Sequence, residues 1–245
     1  MTDTAALPES KATLEPILRR IQAIAGSLFG VFVLLHLSNI ALAPFGIDRF
    51  NQYQQTIRAF YQYPLVEIGL VLGPLITHAV AGVGLFFVRG GFTKKGSQTK
   101  RPLIARVHGW AGCFLLLFIV GHVLAVRGSS FFYGVFPEFQ GVSFSLWYFP
   151  AYFYPYYFLL ALAGFFHATN GLRMLAAQNG LILNANVQKS MTALAACWIA
   201  ISLAALGGHL FDVGDNANHD FAQLLETVFG TDRTVPIRFM GGLGL

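Results

Sequence analysis

Residues 21–43 read IQAIAGSLFGVFVLLHLSNIALA, a run without a charged residue and with one histidine, His36. At about 1.5 Å per residue a helix of this length measures roughly 34 Å. The hydrocarbon core of a bilayer is about 30 Å thick and needs about 20 residues of helix. Four more runs of that kind follow, near 65–88, 105–126, 152–176 and 190–211. The sequence therefore predicts an all-α integral membrane bundle of five transmembrane helices. It divides the chain into a polar segment 1–18, a spanning domain 19–211 and a polar tail 212–245.

Composition excludes the main soluble classes. Apolar residues make up 55% and charged residues 11%, where a soluble domain carries about 25% charged. The net charge of +5 does not point to nucleic acid, because the basic residues lie in short loops between apolar runs. They follow an orientation pattern instead. Lys11, Arg19, Arg20, Arg89, Lys94, Lys95, Lys100, Arg101, Arg106, Arg173 and Lys189 fall on one side, eleven of the 16 basic residues. Arg49, Arg58, Arg127, Arg233 and Arg238 fall on the other. This places the amino terminus and the 89–104 and 177–189 connections inside, and the carboxyl-terminal tail outside. The polar first segment does not resemble a cleavable signal peptide, so the first span is read as its own insertion signal. Cys113 and Cys197 sit in separate apolar runs and do not form a CxxC or disulfide pattern.

The chemistry lies in an internal repeat. Arg20 is followed by Ala25-Gly26 and His36, and Arg106 by Ala111-Gly112 and His122, with 16 residues from arginine to histidine in both. His78-Ala79-Val80-Ala81-Gly82 matches His167-Ala168-Thr169-Asn170-Gly171 in the same way. Imidazoles are rare inside membranes because their nitrogens must be satisfied internally. A single one is explained by a hydrogen bond to a neighbouring carbonyl. Four, one on each of the first four spans, are not so easily explained. His36 and His122 each lie about 24 Å beyond the arginine at the helix foot, on helices that both run outward. His78 and His167, on returning helices, belong to a level nearer the inside. Two haems, each held by two histidines, follow from that arrangement. Gly26, Gly30, Gly82, Gly84, Gly112 and Gly171 fit either a flat macrocycle or ordinary close helix packing. No HExxH, Walker or nucleophile-elbow motif is present.

These stretches resemble a known family. Arg19-Arg20-Ile21-Gln22 through Gly26 to His36-Leu37, Gly73-Pro74-Leu75-Ile76-Thr77-His78 with Gly82, Arg106-Val107 through Gly112 to Gly121-His122-Val123, and above all Phe166-His167-Ala168-Thr169-Asn170-Gly171-Leu172-Arg173 are similar to the helices of five-helix, di-haem cytochrome b subunits. Those subunits anchor succinate dehydrogenase and fumarate reductase, and the resemblance covers residues 19–211. It implies an anchor for a flavoprotein and an iron–sulfur subunit on the inner face, carrying electrons between the iron–sulfur subunit and quinone. The dicarboxylate chemistry would lie in a partner subunit. It implies haem b as cofactor, with His78 and His167 on the proximal haem and His36 and His122 on the distal one. The membrane would be the bacterial cytoplasmic or the mitochondrial inner membrane.

Polar residues at the inner ends, Gln22, Arg20, Arg106, His108 and Arg173, are candidates for haem propionates, which need cations or donors. Each arginine is equally explained by topology and lipid headgroups. Ser27, Asn39 and Arg127 are polar candidates for a quinone site, with Ser27 able to bond back to its own helix. Glu67 is expected at the interface, as the only acidic residue near a span. His209, near the outer end of the fifth span, has no counterpart among the family's ligands and reads as a hydrogen-bonding or quinone-site residue. The tail is expected to hold a turn followed by a short helix over 221–229. Two other readings remain at this point: a non-catalytic five-helix scaffold with little or no haem, and a transporter. The absence of charged midplane residues on broken helices places the transporter last.

Overall fold

The computed structural model describes residues 9–90, 102–182, 184–215, 219–230, 232 and 234, with side chains from Thr13 onward. Lys94, Lys95, Lys100, Arg101, Arg233, Arg238, Asn216 and Asn218, and the side chain of Lys11, lie outside the described residues. Among the described residues the chain is helical throughout. The elements are α1 (Glu9–Ile40), α2 (Ile47–Tyr61), α3 (Pro64–Val88), α4 (Leu103–Tyr133), α5 (Phe139–Tyr148), α6 (Pro150–Gln178), α7 (Ala185–Leu206) and α8 (Asp220–Phe229). Five of them, α1, α3, α4, α6 and α7, are long and apolar enough to cross a membrane. The protein is an integral membrane bundle. α1 packs against α3 and α6, and α6 also against α4 and α7.

Side chains on the spans face lipid as often as protein. Leu28, Val31, Ile76, Val80, Leu117, Val120 and Leu194 are all exposed, as expected where the surrounding solvent is hydrocarbon rather than water. The aqueous-type core lies elsewhere. Ala43, Phe50, Phe139, Leu146, Ile199, Leu203, Ala205 and Leu206 are buried together at the end of the bundle opposite the start of α1, the end expected to be outer. α2 and α5 form a cap there. Asn51 joins them, its Oδ1 accepting from the Phe139 N–H at 2.9 Å and its Nδ2 donating to Gln140 Oε1 at 3.3 Å. Arg58 and Gln55 of α2 both meet Glu138, at 3.3 and 3.1 Å. α8 covers α5 through Phe221 and Ala222, which are buried against Phe144.

Several sequence boundaries move. The helix of the first span begins at Glu9, ahead of the apolar run that starts near residue 21, and Glu15 lies within the added turns. Its carboxylate accepts from Arg19 at 2.6 Å and from Arg89 at 3.0 Å, which fastens the inner ends of α1 and α3. The stretches 44–64 and 127–151, which lie between the apolar runs, hold α2, the end of α4 and α5. α7 ends at Leu206, so His209 lies beyond the helix. The expected helix in the tail is present as α8.

Two turns of the spans are widened to π-helix, Glu67–Leu72 in α3 and Leu124–Gly128 in α4. The first has a local cause. Pro74 lacks an N–H and its ring crowds the carbonyl four residues back. The Gly73 N–H instead reaches the Ile68 carbonyl, five residues earlier. The same turn aims Glu67 inward.

Candidate cofactor site

The four span histidines meet in two pairs. His36 and His122 have ring centres 6.0 Å apart with planes at 67°, and His78 and His167 are 5.9 Å apart at 85°. Levels follow from the glycine each inner ring touches. His78 lies against Gly26, ten residues before His36, and His167 against Gly112, ten residues before His122. Ten residues of helix are about 15 Å, so the pairs occupy two levels separated by that rise.

The inner pair is oriented by backbone. His78 Nδ1 is 2.9 Å from the Gln22 carbonyl, and His167 Nδ1 is 3.2 Å from the His108 carbonyl. Residues 22 and 108 occupy equivalent places in the repeat, 14 residues before His36 and His122. A neutral imidazole that donates through Nδ1 keeps Nε2 free as an electron-pair donor. The carbonyl contact that would explain an isolated histidine is thus also the contact that fixes a ligand's tautomer and direction. The glycines complete the arrangement. A Cβ at Gly26 would lie 2.5 Å from His78 Nδ1, and one at Gly112 would lie 2.9 Å from His167 Cε1. Only glycine lets both rings lie this close to the facing helix.

Whether these residues fit a haem can be tested on the ring separations. A metal–imidazole bond is about 2 Å, and the ring centre lies about 1 Å further, so two ligands on opposite sides of one iron have centres about 6 Å apart. Both pairs meet that distance. Among the described residues no group of three or more His, Cys, Asp or Glu is placed to hold a metal ion. Two imidazoles per level suit the two axial positions of a haem and fall short of the four ligands of a zinc site.

The other sequence candidates separate. His108 stacks on His167, ring centres 4.1 Å apart and planes at 4°, and its Nδ1 is buried without a partner. Gln22 lies with its amide against Gly82. Arg173 is half-buried and donates to Asn170 Oδ1 at 3.1 Å. Arg20 and Arg106 are exposed, and the Arg106 guanidinium lies over the Trp110 ring at 5.2 Å. Ser27 donates back to the Ala23 carbonyl at 2.9 Å. Asn39 is buried with its Oδ1 unpartnered. His209 is exposed and hydrogen-bonded to the Tyr154 hydroxyl at 2.8 Å.

Glu67, near the start of the second span, is buried in protein rather than exposed. It is 8% exposed and forms a two-pronged ion pair with Arg127, Nη2 to Oε2 at 2.8 Å with Nε on Oε1. Arg127 Nη1 also donates to Ser130 Oγ at 3.1 Å. Nor is Glu67 the only carboxylate near a span, because Glu15 lies within α1. The burial of Glu67 and the place of Glu15 have one cause. The partners, Arg127 and Arg89, are distant in sequence and only the fold brings them near.

A family comparison bears on the same helices. Residues 103–207, from the start of α4 to the end of α7, match the model of the succinate dehydrogenase/fumarate reductase transmembrane subunit. Over this segment, 105 of the 245 residues, the chain is similar to that subunit. Comparison with curated proteins and with solved structures gave no match. The matched part contains His108, His122 and His167. α1 and α3, with His36, Gln22 and His78, lie before it. Their assignment rests on the internal repeat and on the two ring pairs.

Proposed function

We propose that this chain is such a transmembrane subunit and carries electrons between an inner-side iron–sulfur partner and membrane quinone, with a flavoprotein completing the complex. It would hold two haems b, one between His78 and His167 and one between His36 and His122. The observation that carries the reading is the pair of ring separations, each fitting a single shared iron. Bound at these places, haem iron supplies one-electron redox chemistry. The chain's own residues do the rest. Carbonyls of residues 22 and 108 orient the inner imidazoles, and Gly26 and Gly112 let them approach. Gln22, His108 and Arg173, with Arg20 and Arg106 at the helix feet, supply donors and positive charge toward inner-side carboxylates. Charge asymmetry of the connections supports an amino terminus inside, and the proposed partners suit a bacterial cytoplasmic or mitochondrial inner membrane.

A pyridine haemochrome assay on the purified chain tests this. Wild type should carry two haems b, and His167→Ala and His36→Ala one each. Equal haem content in all three would refute the ligand assignment. Absence of haem from the wild type, with no soluble subunits co-purifying, would favour a scaffold of the same fold.

A further inference from the structure

Asn170 is fully buried on α6, one turn inward of His167. Its amide orientation is fixed by Arg173. A guanidinium has only donors, so the atom that Arg173 Nε meets at 3.1 Å is the amide oxygen. The NH₂ group therefore points the other way, and there it is buried with no partner. Leaving such a donor unmet costs about 1–3 kcal/mol. A second unmet atom lies close by, where α4 meets α6 at His167. His108 Nδ1 is buried without a partner, and its ring rests on His167, beside Phe166 and Gly171. These neighbours are within one turn of Asn170.

We infer that the Asn170 NH₂ group donates to a carboxylate of the cofactor held between His78 and His167. This inference rests on the haem reading above. A neutral amide suits that task because it brings no charge of its own into the bundle. The Arg173 contact polarises it, so positive charge is conveyed through the amide. The exposed Arg20 and Arg106, the second of them over Trp110, are less well placed for a buried acceptor. The device belongs to one half of the repeat only. Counting 89 residues back, as from His167 to His78, Asn170 corresponds to Ala81 and Arg173 to Gly84. The inner haem would thus be held by a donor from α6 with no counterpart on α3.

Redox titration of the full-length haem-loaded chain, followed in the haem absorption bands, tests the assignment. Asn170→Leu keeps the volume and removes the donor. Without it more negative charge is felt at the iron and the oxidised state gains. The inner haem should shift by about tenfold in its oxidised-to-reduced ratio, about 59 mV downward for one electron, while the outer haem stays in place. The titrating component that His167→Ala removes identifies the inner haem. If Asn170→Leu does not assemble, Asn170→Ala removes the donor without overpacking and should show the same shift. Unchanged potentials in a variant that retains both haems would overturn the inference. So would lost thermal stability without any shift, which would make Asn170 a helix-packing residue alone. Either result leaves the haem reading standing, whereas retention of both haems by His167→Ala would refute that reading itself.

Discussion

Replacing Gly26 by alanine puts one methyl group where His78 now lies. The added carbon would be 2.5 Å from Nδ1 and 2.6 Å from Cε1, against an ordinary contact of about 3.5–4 Å. The ring must retreat by about 1 Å, which breaks its 2.9 Å hydrogen bond to the Gln22 carbonyl. Overpacking costs about 1–3 kcal/mol and the lost bond about 0.5–1.5 kcal/mol. A combined penalty of about 2–4 kcal/mol would weaken haem binding at the inner level roughly 30- to 700-fold. Gly112→Ala should do less. Its methyl would meet only the Cε1 edge of His167 at 2.9 Å, with Nδ1 at 3.4 Å, so the ring can slide while keeping its carbonyl. Gly121→Ala faces open space and serves as the control. Haem titration of the cofactor-free chain in detergent, followed by absorbance, would report the two affinities. Inner-level binding in Gly26→Ala equal to wild type would refute the packing argument. A loss in Gly121→Ala as large as that in Gly26→Ala would show that glycine itself, rather than its position against His78, is what matters.

Three further outcomes are expected. Removing one partner of the buried Glu67–Arg127 pair, as in Glu67→Leu, should destabilise the chain by about 2–4 kcal/mol, whereas the double variant Glu67→Leu/Arg127→Leu should lose much less; thermal unfolding in detergent distinguishes them. Asn51→Ala removes the acceptor for the first N–H of α5 and should cost about 1–2 kcal/mol, read as earlier proteolysis of the outer cap rather than as haem loss. His219 caps α8 with its ring, Nδ1 accepting from the Phe221 N–H at 3.1 Å, and burial holds its pKa below the usual 6.5 despite Asp220 and Glu138 nearby. Protonation abolishes that acceptor. The contribution is therefore full above about pH 6.5 and is lost as pH falls toward the depressed folded value. Hydrogen exchange of α8 should rise on acidification in wild type and stay flat in His219→Asn, which caps without titrating.

The spanning architecture could be read from sequence because bilayer thickness imposes a length on each apolar run, whatever the neighbours. The pairing of histidines was legible for a related reason. Equal arginine-to-histidine intervals on parallel helices fix equal depth before any packing is known. α2 was missed since its run IDRFNQYQQTIRAFY is too polar to span; its buried Phe50 and Ile57, two turns apart, were the available signal. α5 was missed because Asn51, 88 positions earlier, satisfies its first N–H. The burial of Glu67 could not be read because the cation that makes it possible lies 60 residues away. Glycines at 26 and 112 announced a close approach. That each approaches an imidazole could be seen only once the helices were placed.

The outer cap also constrains the order in which the protein can be completed. Its core brings together Ala43 and Phe50, Phe139 and Leu146, and Ile199 to Leu206. Contacts of such sequence separation form late. The last of these residues comes from the end of the fifth span, so the cap cannot close until every span has been synthesised and inserted. A chain stalled before α7 would leave Phe50, Phe139 and Leu146 uncovered on the outer surface. The cap's core is thus complete only when the last span is in place.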